Sequence, residues 1–196
     1  MTTYSCTDAR PATGERGIAI GPILFILALM GVVAAAMGAS TSTSSANVSS
    51  DRIANIVYSQ AELIRAKIHE CYSFNMGNAA NNYPTSAGAG TAVRSLTCPG
   101  DQGGAQNLWT GIRAASLGPV PPGFDEWLYV NAGSSGGRCI RIQPTSTASQ
   151  SMKDGLARVV ARYAATDIQY TAGGATQRIV IWITPPTGSA DANCAP

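Results

Sequence analysis

Residues 18–39 read IAIGPILFILALMGVVAAAMGA, 22 positions without a charged or strongly polar side chain. At about 1.5 Å of rise per residue, a helix of that length crosses a hydrocarbon core of roughly 30 Å. Ten of the residues are Leu, Ile, Phe or Val. Together they favour insertion by about 3 to 6 kcal/mol, and no charge opposes them. A buried helix of a soluble core rarely runs so far without one polar position. A membrane-spanning helix is therefore expected from Ile18 to Ala39, and the rest of the chain is read outward from it.

Upstream lie 17 mostly polar residues ending in Gly14-Glu15-Arg16-Gly17, with Arg10 and Arg16 balanced by Asp8 and Glu15. Positive charge beside a span favours the cytoplasmic side, so the C-terminal part is expected outside the cytoplasm. Downstream, residues 40–50 (STSTSSANVSS) suit a solvated linker or a helix extension equally well. From Asp51 to Phe74, Val57, Ala61, Ile64, Ile68 and Cys71 recur at spacings of 4, 3, 4 and 3, with Ile53 and Ile56 extending the stripe backwards. That is the pattern of an amphipathic helix, for which Ser49 or Ser50 is a suitable cap.

Residues 75–124 are rich in Gly, Asn, Pro, Ser and Ala and read mostly as loop, with a short helix expected near Leu108 to Ala115. The last third alternates as strands do. Glu126–Val130 and Arg138–Ile142 form one expected hairpin around an Ala132–Gly137 turn. Thr166–Thr171 and Gln177–Thr184 form another around Gly173-Gly174. Between them, Gln150–Tyr163 carries an apolar face at Met152, Leu156, Val159, Val160 and Tyr163, a helix weakened by Gly155. The expected fold is α+β: a long N-terminal helix, half membrane-spanning and half amphipathic, packed on a four-stranded antiparallel sheet. The boundaries are a leader at 1–17, the span at 18–39, the Ser/Thr-rich connection at 40–50 and an extracytoplasmic head at 51–196.

Four of the five cysteines, Cys71, Cys98, Cys139 and Cys194, lie beyond the span on the side expected to be oxidising. Of the three possible connectivities, Cys71–Cys98 with Cys139–Cys194 is preferred. The first bond would close the loop-rich region and the second would tie the tail to a strand. No CxxC pair occurs, so a zinc site is not expected.

Composition narrows the function. Only 12% of residues are charged and the formal net charge is +2, which does not suit a nucleic-acid-binding face. His69 is the one histidine. Beside Glu70 and Cys71 on a helix it points away from both, so the three cannot converge on one substrate. Asp125 and Glu126 alternate in direction at a strand start. Asp101 lies in a Gly-rich turn without a following Lys-Ser/Thr. Trp109, Trp127 and Trp182 could form an adhesion surface, but core packing is the more ordinary expectation. No catalytic residue, metal or cofactor is expected.

The order of leader, Arg16-Gly17 junction, apolar run, amphipathic stripe and Cys-stapled sheet resembles the type IV pilins and the pseudopilins of type II secretion. The resemblance implies cutting by a prepilin peptidase between Gly17 and Ile18, leaving 196 − 17 = 179 residues. It also implies anchoring in the inner membrane before assembly with other pilin-like subunits on an assembly platform, and no enzymatic activity. The chain departs from the family at the fifth mature residue, which is Pro22 rather than the usual Glu. That departure shifts the expectation towards a minor or divergent subunit. Pro22 also has a local reading as the first helical residue after Gly21. The alternative is a signal peptide or signal anchor carrying a small disulfide-bonded domain, with Ala34-Ala35-Ala36 or Ala36-Met37-Gly38 as a cleavage site.

Overall fold

The computed structural model describes residues 20–74, 82–99, 105–111, 114–173 and 177–195, with side chains in the first helix described at Ala28 and from Asn47 onward. The chain divides into two compact units, Met1–Ser44 and Ser45–Pro196. In the first unit the described backbone is helical, the beginning of helix α1 (Ile20–Phe74). That start comes earlier than Pro22, so Ile20 and Gly21 are helical. Pro22 stands in the first turn, where a missing N–H leaves no intrahelical bond unmade. Residues 40–50 also belong to α1, which answers the question their sequence leaves open. Ser49 and Ser50 are therefore interior positions and not caps. Apart from Ala28, the expected membrane span falls on residues whose side chains lie outside the described set. Among the described residues no helix is long and apolar enough to cross a membrane.

In the second unit a helix packs against an antiparallel sheet, an α+β arrangement. The packing stripe of α1 is Ile53, Ala54, Val57, Ala61, Ile64, Ile68 and Cys71, all buried. The sheet has five strands rather than the four expected, in the order β1-β4-β5-β7-β6. They are β1 (Thr91–Ala92), β4 (Leu128–Asn131), β5 (Arg138–Ile142), β6 (Ile168–Thr171) and β7 (Arg178–Thr184). The unforeseen strand β1 pairs Thr91 with Tyr129 and Ala92 with Leu128. Two residues are too few to show a period-2 pattern, and Gly90 before them hides the signal further. At φ +127°, Gly90 lies against the Tyr129 carbonyl, where an added Cβ would sit 3.2 Å from the oxygen. A separate ribbon joins β2 (Thr97–Cys98) to β3 (Gln106–Asn107). No helix forms over the described parts of Leu108–Ala115, because the Asn107 side chain accepts from the N–H groups of Trp109 and Thr110 and sets a turn.

Strand β7 is covered on both faces. Ile179, Ile181 and Ile183 face α1 with Ile140 and Ile142, while Val180 and Trp182 face away into a second cluster with Val130, Cys139 and Cys194. The β4–β5 turn is itself a four-residue helix, α2 (Gly133–Gly136). Helix α3 (Gln150–Val160) ends three residues before the expected Tyr163 and crosses α1 closely. A Cβ on Gly155 would meet Ile53 Cγ2 at 2.8 Å and the Ser50 carbonyl at 3.1 Å. Ser50 Oγ donates to the Ser151 carbonyl at 2.9 Å. The glycine read as a weakness of α3 is thus what lets the two helices touch. The disulfides join Cys71 to Cys98 and Cys139 to Cys194, the two pairs preferred from the sequence.

Candidate functional site

The loop-rich region between α1 and β4 is organised by two side chains. Gln60 occupies an apolar position of the α1 stripe and is 6% exposed. Its Nε2 donates to the carbonyls of Pro119 at 2.8 Å and Gly118 at 3.3 Å, and its Oε1 accepts from Trp127 Nε1 at 3.0 Å. Arg94, in the 3-10 turn Val93–Ser95, donates to the same Gly118 carbonyl at 2.6 Å and faces Glu126 at 3.7 Å. Between Arg94, the 107–110 turn and the pinned segment 114–117 lies an open groove of about 620 Å³. Its polar groups, Arg94, Asn107, Thr110 and Ser116, already serve turn and loop contacts or face solvent, so the groove carries no assembled chemistry.

A second polar assembly runs along the seam of α1 with α3 and the segment after it. Arg158 pairs with Asp51 and donates to Asn47 Oδ1, and Arg162 donates to Asn55 Oδ1 at 2.7 Å. Further along, Tyr163 Oη donates to Glu62 Oε1 at 2.7 Å, and the same carboxylate pairs with Arg65 at 3.2 Å. Burial, followed by this hydrogen bond, pushes the Tyr163 phenol above its ordinary range. The next residue along that face, His69, has a lowered pKa through partial burial and then the Arg65 charge. The seam is a lock: each acceptor is matched to a donor already present.

The residues singled out from the sequence fall in different places. Gly17, Ile18 and Asp101 lie outside the described residues, and Pro22 is described by its backbone alone. His69 is exposed, Glu70 pairs with Lys67 at 2.8 Å and Cys71 is bonded to Cys98, so the three share no point in space. Asp125 accepts from Gln143 Nε2 at 2.7 Å while Glu126 faces Arg94, so these carboxylates also work apart. Trp109, Trp127 and Trp182 are 7%, 0% and 4% exposed and belong to the core and the second cluster. Among the described residues no group of three His, Cys, Asp or Glu side chains is arranged to hold a metal ion. Gln60 and Arg94 were not anticipated. The available signal for Gln60 was an amide between Val57 and Ile64 on an otherwise apolar stripe. No family model, no curated protein and no solved structure matches the chain.

Proposed function

We propose that the chain is a pilin-like structural subunit, minor or divergent, of an envelope type IV filament or secretion pseudopilus. A prepilin peptidase cuts it between Gly17 and Ile18. The apolar run holds it in the inner membrane with the disulfide-bonded head outside the cytoplasm. Other pilin-like subunits and an assembly platform then take it into a filament. In this reading the chain is not an enzyme, and its surfaces serve assembly.

One observation carries the reading. The amphipathic part of α1, whose buried stripe forms one wall of the head, belongs to the same helix as the described part of the apolar run, Ile20–Phe74. The same helix includes residues 34–50, so Ala34-Ala35-Ala36 and Ala36-Met37-Gly38 have helical backbone rather than the extended form a signal-peptide cleavage site favours. That observation favours a retained segment over a removed signal peptide.

The test is sequencing of the mature N-terminus together with the variant Gly17→Val. A prepilin peptidase product starts at Ile18, and the β-branched side chain at 17 blocks the cut, leaving the protein about 17 residues longer and in the membrane. A mature start near Met37 or Thr41, with Gly17→Val processed as before, would replace the filament reading with a secreted domain.

A further inference from the structure

The second apolar cluster lies on the face of the sheet opposite α1, and the chain after β7 covers it. Three N–H groups of this segment, from Thr187, Gly188 and Asp191, donate to the carbonyls of Ser134, Ser135 and Gly136 at 3.0, 3.1 and 3.0 Å. From the sheet, Arg141 donates to the Asn193 carbonyl at 3.1 Å, and Arg178 donates to that of Ala195. At Gly137, φ +84°, an added Cβ would lie 2.7 Å from the Trp182 ring and 3.0 Å from Pro186 N, so the segment is seated without slack. Cys194 within the segment and Cys139 beneath it are both 0% exposed. The other disulfide differs: Cys71 is buried, but Cys98 is partly exposed at the β2–β3 ribbon.

Thiol–disulfide exchange requires a thiolate to reach a sulfur atom. A bond with both residues enclosed offers no target while its cover is in place. We propose that residues 185–195 form an oxidation-locked strap: the Cys139–Cys194 bond is made or broken only with the strap open, and closure seals it from thiols. In the open state the thiolate of either cysteine attacks one sulfur of an oxidant's disulfide. A mixed disulfide forms, and the oxidant's other sulfur leaves as a thiolate. The second cysteine's thiolate then attacks the protein-side sulfur of the mixed disulfide, forming the Cys139–Cys194 bond and expelling the oxidant as a dithiol. Two protein thiols lose their protons and two electrons pass to the oxidant. The strap then settles over Val180 and Trp182 and withdraws the new bond from exchange. Cys71–Cys98 keeps a sulfur-bearing residue at the surface and stays exchangeable. This inference is independent of the filament reading.

The experiment treats the full-length oxidised chain with dithiothreitol under native conditions, alkylates the freed thiols at intervals and maps them by peptide mass. Cys71 and Cys98 should be labelled first, and Cys139 and Cys194 about tenfold or more slowly, with the gap closing in denaturant. The double variant Arg141→Ala/Arg178→Ala loosens the strap and should speed labelling of Cys139 and Cys194 about tenfold, leaving the other pair's rate unchanged. Equal native rates for the two disulfides, or earlier labelling of Cys139 and Cys194, would overturn the proposal. So would a strap variant without a selective effect. Should the double variant unfold, both pairs would speed up alike, and Arg178→Ala alone then carries the same comparison.

Discussion

Tyr129 is 0% exposed, and among the described residues its hydroxyl has no hydrogen-bond partner. A buried unpaired hydroxyl costs free energy that a phenylalanine of the same shape would not, so Tyr129→Phe should stabilise the head by about 1 kcal/mol in urea titrations at neutral pH. Burial also pushes this phenol above its ordinary pKa of 10.0. In the unfolded chain the phenol loses its proton near 10, whereas in the folded chain it keeps it. Above pH 10 the folded state therefore binds more protons, and stability falls as pH rises. The same substitution should flatten that alkaline fall, and an unchanged slope would remove Tyr129 as its source. Gln60 is the opposite case, a buried amide with each polar atom engaged. Gln60→Leu keeps the volume but leaves Trp127 Nε1 and the Pro119 carbonyl unpaired, and should cost about 2 to 4 kcal/mol. Urea midpoints of the variant and the parent check it. Neither behaviour was legible in the sequence. Tyr129 reads there as an ordinary strand aromatic, and Gln60 acquires its role only when residues 118–127 fold back over it.

At the scale of elements, legibility followed length. The amphipathic stripe of α1, strands β5 and β7 and helix α3 each hold several turns or pleats of pattern, so periodicity located them. Strand β1 has two residues and α2 has four, and both depend on tertiary neighbours rather than local preference. The end of α3 was misjudged because Tyr163 continues the apolar spacing. In the fold, Tyr163 instead reaches sideways to Glu62 from a turn beyond the helix. Gly155 shows the limit most clearly. Helix propensity alone says that Gly155→Ala should stabilise α3 by about 1 kcal/mol. The crossing says otherwise, because the new methyl would press on Ile53 and on the backbone of Ser50, and overpacking of this kind costs about 1 to 3 kcal/mol. The expected net change is destabilising. The cause can be isolated with Ile53→Ala, which removes the obstructing Cγ2. In a double-mutant cycle the two losses should fall short of adding by about 0.5 kcal/mol or more. Additive losses would mean that the two helices do not press on each other at this point.

At the scale of the whole molecule, the sequence conveyed the layer order of the head and the pairing of its cysteines. It did not convey that the tail covers a face of the sheet, because a covering segment has no periodicity of its own. In β7 the run IVIWI was legible as alternating, yet its unbroken apolar character was the sign that both faces are buried. Under the proposed filament reading the N-terminal part of the chain bears on assembly, and there the deciding residue is Pro22. A proline in the first turn of α1 brings no charge to that position, whereas the pilin family of the proposed reading usually has Glu there. If the chain is a minor subunit without a neighbour positioned to meet that charge, Pro22→Glu adds an unpaired carboxylate to the apolar run. An unpaired charge in such surroundings is expensive. The variant should therefore enter filaments less well than the parent while being processed at Gly17 as before, and the comparison is the amount of each in sheared filament fractions. Increased incorporation would instead mean that a neighbour's N-terminal amine lies within reach of position 22, and would make the chain a subunit of the filament shaft.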